Sequence, residues 1–156
     1  MAENSKRELI ILELISNLED ISSINAVERI RPSFADLGNF ADTQLPLVAV
    51  VGKLPKPVPK RSGRTTGKMD KFISDLEIDL FCYAMDNVNP DSKVSDLADD
   101  LWTKIYSDPT LITDDYPKGL TLEVVVMPEI QVGIWDPYVV FKMVCTYKYI
   151  HGTGGI

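Results

Sequence analysis

The stretch from Phe72 to Asp86, FISDLEIDLFCYAMD, limits the possible folds more than any other part of the chain. Leu76, Ile78, Leu80, Cys82 and Ala84 recur at every second position, with Asp75, Glu77 and Asp79 between them, which is the pattern of a long strand with one buried face. The second face turns apolar at Phe81, Tyr83 and Met85, so that end of the strand is expected to be covered on both sides. The remaining elements are placed relative to this strand.

Upstream, Ser5-Lys6-Arg7-Glu8 fits a capping box, with the serine oxygen accepting from the third backbone N–H and the glutamate reaching back to the cap. Leu9, Ile10, Leu14, Ile15 and Leu18, widened by Ile11 and Leu12, then give the apolar stripe of a helix that packs on a sheet. Residues Asn25 to Arg31 are expected as a first strand interrupted by charges. Pro32 to Gln44 reads as a connection passing over the surface. The valine-rich run Leu45 to Val51 suits an interior strand.

Residues 52–71 differ in texture from everything around them. Pro55, Pro57 and Pro59 remove backbone donors and stiffen the chain, and Gly63 and Gly67 loosen it further on. Lys53, Lys56, Lys60, Arg61, Arg64 and Lys68 follow with no acid between Gly52 and Met69, and Lys71 closes the segment. A solvated basic loop and a contact arm for an acidic partner or nucleic acid both fit this composition. Long structureless insertions in compact domains are usually functional or disordered, which favours the arm. No aromatic residue interleaves with the charges, which argues against stacking on single-stranded bases.

Downstream, Asn89 stands as a cap before Pro90 and Asp91, and Val94, Leu97, Ala98, Leu101 and Ile105 form the stripe of a second helix, stopped at Asp108-Pro109. Leu111 to Gly119 is expected as a surface connection. Leu120 to Pro128 reads as a strand with Leu122, Val124 and Val126 inward and Thr121, Glu123 and Val125 outward, ended by its proline. Gly133 to Pro137 turns the chain back. In the last strand, Tyr138 to Ile150, Lys142 and Lys148 fall on one face, where they can meet Asp75, Glu77, Asp79 or Glu123. Residues 151–156 are expected as a flexible tail.

The 156 residues suit a single domain (1–156), and 45% hydrophobic with 25% charged residues is an ordinary globular profile. A net charge of -7 opposes general affinity for nucleic acid. The N-terminus lacks the pattern of a signal peptide, no run approaches membrane-spanning length, and Cys82 and Cys145 fit buried small hydrophobes better than a disulfide, so cytosolic synthesis is expected.

Chemistry-bearing motifs are sparse. The sequence has no glycine-rich phosphate loop, paired-cysteine zinc site or nucleophile elbow, and its single histidine, His151, lies beside a glycine-rich end. Asp75, Glu77 and Asp79 carry the oxygen chemistry of a hard-cation site, but strand alternation alone produces their spacing. A restriction-type nuclease needs an acid followed by an acid-x-lysine strand, and Glu77-Ile78-Asp79 has no lysine in that place.

The parts Arg7 to Leu18, the Val48 to Ile78 hairpin with its arm, SDLADDLWTKIYSDPTL (Ser95 to Leu111) and PYVVFKMVCTYKYI (Pro137 to Ile150), in this order, resemble the tail terminator proteins of long-tailed bacteriophages. That resemblance implies an α+β subunit, a mostly antiparallel β-sheet flanked by two main α-helices with a long basic hairpin arm. It implies a structural virion protein of the tail or neck, made in the host cytoplasm, not an enzyme and without a cofactor or metal. Copies form a homo-oligomeric ring, expected as a hexamer, that caps the tail tube, stops its polymerisation and docks on the head–neck connector. Genomic DNA would only pass through the lumen, and no membrane is involved. The arm from Lys53 to Lys71 would contact a neighbouring subunit or the tail tube protein, and Asp75, Glu77 and Asp79 would line the lumen or a subunit seam. A head-completion or neck connector protein is the alternative, with a metal-dependent nuclease behind it.

Overall fold

The computed structural model describes residues 5–30, 45–54, 56–57, 71–85, 89–135 and 138–152. The first helix, α1 (Lys6–Glu19), is followed by strands β1 (Ala26–Glu28), β2 (Leu47–Gly52), β3 (Lys56–Pro57) and β4 (Lys71–Met85). A second helix, α2 (Pro90–Ser107), leads to β5 (Glu123–Trp135) and β6 (Tyr138–Gly152). The sheet runs β1-β2-β4-β6-β5 with β3 beside β4; β1 lies parallel to β2 and every other pairing is antiparallel. This is the expected α+β fold with a mostly antiparallel sheet.

The long alternating stretch is the strand at the centre of that sheet. β4 pairs with β6 along its whole length, from Lys71↔Gly152 to Met85↔Tyr138, and its other edge takes β2 and then β3. Leu76, Ile78, Leu80, Cys82 and Ala84 lie on the face covered by the helices, all nearly inaccessible, together with Ile10, Leu14, Leu97 and Leu101. The far end is covered on the opposite face too, where Tyr83 packs with Leu45, Leu47, Ala49 and Val140, and Phe81 and Met85 lean against them. Two clusters separated by one sheet follow from the change of alternation at Phe81.

Helix α1 is seated by close approach. A Cβ added at Gly52 would stand 2.7 Å from Ile11 Cδ1 and 3.0 Å from Arg7 Nη2, so a larger residue there would make the tips of these side chains shift. Arg7 Nη2 and Nε donate to the carbonyls of Gly52 and Lys53 at 2.9 and 3.1 Å, tying the first turn to the strand end. The capping box forms by half. Ser5 Oγ accepts from the Glu8 amide at 3.2 Å, whereas the Glu8 carboxylate turns outward to an ion pair with Arg29 just after β1. That guanidinium holds the Glu8 carboxyl below its ordinary range. Ile11 belongs to the buried stripe, but Leu12 is exposed.

Three polar contacts join the two helix regions: Asn17 Nδ2 to Asp108 Oδ2 at 3.1 Å, Ser23 Oγ to Asp100 Oδ2 at 2.7 Å, and Lys104 near Asp20 at 4.0 Å. After α2 the chain turns sharply. Leu111 takes φ 53° while fully buried, and Gly119 takes φ 101° with Thr110 O where a Cβ would sit. The apolar burial of Leu111 opposes a left-handed cost of roughly 1–2 kcal/mol.

Several expected boundaries move. β1 spans only Ala26–Glu28 of the stretch expected as the first strand. β5 begins at Glu123, so Leu122 is exposed and Thr121 is buried, its hydroxyl donating to Pro109 O at 3.3 Å, the reverse of the reading at these two positions, whereas Val124 and Val126 face inward and Glu123 and Val125 outward as expected. Pro128 does not end β5. The strand continues to Trp135 with a register shift between Glu129 and Gly133, because β5 is an edge strand and a proline whose missing N–H faces outward removes no ladder bond. Of the turn expected from Gly133 to Pro137, residues 133–135 are strand, and 136–137 lie outside the described residues. His151 and Gly152, expected as part of the tail, pair with Phe72 and Lys71 at the end of β6; residues 153–156 lie outside the described residues.

Candidate functional site

β4 puts Asp75, Glu77 and Asp79 in one row on the sheet face opposite the helices, as their spacing requires. Register sets their neighbours: Asp75 lies across from Lys148 and Glu77 from Thr146, and Asp79 lies between Val51 and Val144. Lys142 Nζ comes within 3.8 Å of Asp79 Oδ2 and 5.8 Å from the centre of the Phe81 ring, and Lys148 Nζ lies 3.4 Å from Glu123 Oε1. These are the cross-strand pairings expected from the two lysines.

Lys53 falls in the stretch expected as the contact arm, yet it is the chief partner of the acidic row. Its amide donates to Glu77 O at 2.9 Å, and its ammonium lies 3.1 Å from Glu77 Oε2 and 3.8 Å from Asp79 Oδ2. Gly52 pairs with Ile78, so the next residue must fall beside Glu77; the contact is legible only once that register is known. Asp79, only 7% exposed, is thus flanked by two ammonium groups of its own chain. Its Oδ1, like Asp75 Oδ1, is buried with no hydrogen-bond partner among the described residues. Glu77 and Asp79 are thus engaged by lysines of their own chain.

The arm is described at its two ends. Lys56 pairs with Asp75 and Pro57 with Ser74 in β3, and Lys71 opens β4, so Lys53, Lys56 and Lys71 belong to the sheet or its rim. Lys60, Arg61, Arg64 and Lys68 lie outside the described residues. Connectivity alone inserts them between Pro57 and Lys71, which both sit at one end of the β4–β6 pair.

Other features are modest. A cleft of about 370 Å³ between the end of α1 and the outer side of α2 is lined by Ile21, Ser22, Ser23, Asp100, Thr103, Lys104 and Ser107. Trp102 and Tyr106, about 40% exposed, stand with ring centres 5.3 Å apart on α2. Their i and i+4 spacing is visible in the sequence, but both fall outside the apolar stripe that marks the helix. Among the described residues, no group of three or more His, Cys, Asp or Glu side chains is placed to hold a metal, and no helix is long and apolar enough to cross a membrane.

Both cysteines are free and buried, and burial pushes each thiol from the ordinary 9.0 up to about 12, with the Asp79 charge adding to the effect at Cys145. Burial also raises the Tyr147 hydroxyl well above its usual range. A group that keeps its proton longer when folded supports the fold below its unfolded value. That support is lost as pH rises through the window from about 9 toward 12, because the unfolded chain releases the proton first. The urea midpoint of the native chain is therefore expected to fall between about pH 8 and about pH 10.5, and that of a Cys82→Ala/Cys145→Ala variant to fall less. Equal falls in the two would show that the thiols do not contribute.

No protein-family model matches this chain, and neither does any curated protein.

Proposed function

We propose that the chain is a structural virion subunit of the tail-terminator kind, one copy of a homo-oligomeric ring that caps the tail tube, halts its growth and offers the surface on which the head docks. What supports this reading is the way one sheet carries the basic insertion. Residues 58–70 connect β3 to β4 at the end where β4 and β6 pair beyond β2, so a segment rich in lysine and arginine is attached where the sheet is narrowed to its longest strands. A long insertion held at both ends by hydrogen-bonded strands suits contact with a neighbouring subunit or the tube. Glu77 and Asp79 already engage lysines of their own chain, so the charge it meets lies elsewhere.

The arm is tested by neutralising Lys60, Arg61 and Arg64 together. Particle yield is expected to drop at least tenfold while circular dichroism and the urea midpoint of the subunit stay as they were, since substitutions away from packed features shift stability by no more than about 0.5 kcal/mol. An unchanged yield would remove the arm from assembly. The wider reading is tested by producing the chain together with a polymerising tail-tube protein: tubes capped at one end by a ring support it, and uncapped tubes in the presence of folded subunit oppose it.

A further inference from the structure

Among the described residues, no strand pairs with the outer side of β5. An antiparallel strand sends alternate amides to its two sides. The Val126 amide donates to Tyr106 Oη at 3.2 Å and so points away from β6, which puts residues 124, 126 and 128 on the outward side. Pro128 has no N–H to give, so two of those three positions offer no free donor to an incoming strand. Beyond them the register shift between Glu129 and Gly133 breaks the ladder geometry. The adjoining side chains invite association all the same: Val125 is 51% and Met127 62% exposed, and neither carries charge. The stretch from Val124 to Pro128 carries no charge, and an edge of that kind is a template for pairing unless something blunts it.

We propose that Tyr106 is an edge guard: its hydroxyl, reaching from the last turn of α2, occupies the Val126 amide and prevents β5 from pairing with β5 of a second copy. Trp102, one turn earlier, packs beside the Tyr106 ring at a 45° tilt and supports it over the strand. Pro128 completes the barrier from within the strand. The guard is a property of the folded subunit and does not depend on the virion role proposed above. Contacts that build an ordered ring must then use other surfaces, while open-ended growth through β5 is suppressed.

Tyr106→Phe keeps the ring and removes only the oxygen. Amide exchange at Val126 is expected to speed up about tenfold in this variant, the size of effect one hydrogen bond carries. Sedimentation velocity is expected to show species larger than those of the native chain at about tenfold lower concentration. Adding Pro128→Val, which restores an outward N–H, should extend the effect, and adding Met127→Lys, a charge beside the edge, should reverse it. Val126 exchange unchanged in Tyr106→Phe, or sedimentation of the Tyr106→Phe/Pro128→Val chain indistinguishable from native, would overturn the proposal. Should Tyr106→Phe fail to fold, Pro128→Val alone decides the matter: new association supports the guarded edge, and native sedimentation refutes it.

Discussion

Leu80→Ala is expected to lower the unfolding free energy by about 3 kcal/mol, a loss in the usual range for removing a buried leucine side chain. Leu80 is fully buried, faces the helices from the middle of β4, and lies between Val50 and Met143 in register, with strands on both sides that prevent collapse around the vacated space. Met127→Ala, on an exposed position of edge strand β5, is the matched control and is expected to change stability by no more than about 0.5 kcal/mol. Urea unfolding followed by tryptophan fluorescence measures both. Equal losses at the two sites would mean that β4 is not the strand on which the core is built.

Replacing Lys53 and Lys142 together by methionine is expected to cost roughly 2–3 kcal/mol at neutral pH. The two side chains keep most of their apolar stems, so the loss comes from leaving the Asp79 carboxylate buried without its counter-charges. The figure is set toward the low end for a broken buried pair because Lys53 is half exposed and water screens part of the attraction. Adding Asp79→Asn to the same chain removes the stranded charge without changing its shape, and more than half of the loss is expected to return. The same denaturation experiment decides: no recovery on adding Asp79→Asn would mean that the lysines stabilise the sheet by packing and not by neutralising the acidic row.

What could be read from the sequence depended on how local the governing interaction is. Period-two alternation from Phe72 to Asp86 and the helical stripes of α1 and α2 are consequences of a single element facing a core, and from them came the helix packed on a sheet and both covered faces of β4. The pairing of Lys142 with the acidic row followed from two such strands lying side by side. Lys53 shows where that reading stops. In composition it belongs to a basic, proline-rich segment, and only the Gly52↔Ile78 register carries it to Glu77. Pro128 misled for a related reason, since a proline ends an interior strand but is harmless on an edge, and edge position is a property of the whole sheet. Glu8 met the rule for a capping box, but a long-range partner, Arg29, competed for its carboxylate. Tyr106 carried no signal beyond its place one turn after Trp102, because its partner is a backbone amide of a strand that follows a sharp turn.

The structural-subunit reading also fits the charge economy of the fold. The chain is acidic overall, yet Glu77 and Asp79 of its most regular acidic row are engaged internally, while the basic residues from Lys60 to Lys68 are concentrated in one insertion. Such segregation favours a directed contact over a diffuse one.

On the proposed reading the frame lies in a phage genome, and deleting it there and imaging the resulting particles by electron microscopy separates the terminator role from its rivals. Irregular, overlong tails without heads are the expected result. Tails of normal length beside tail-less heads would place the protein in the neck instead, and unchanged virions would contradict a role in the particle altogether.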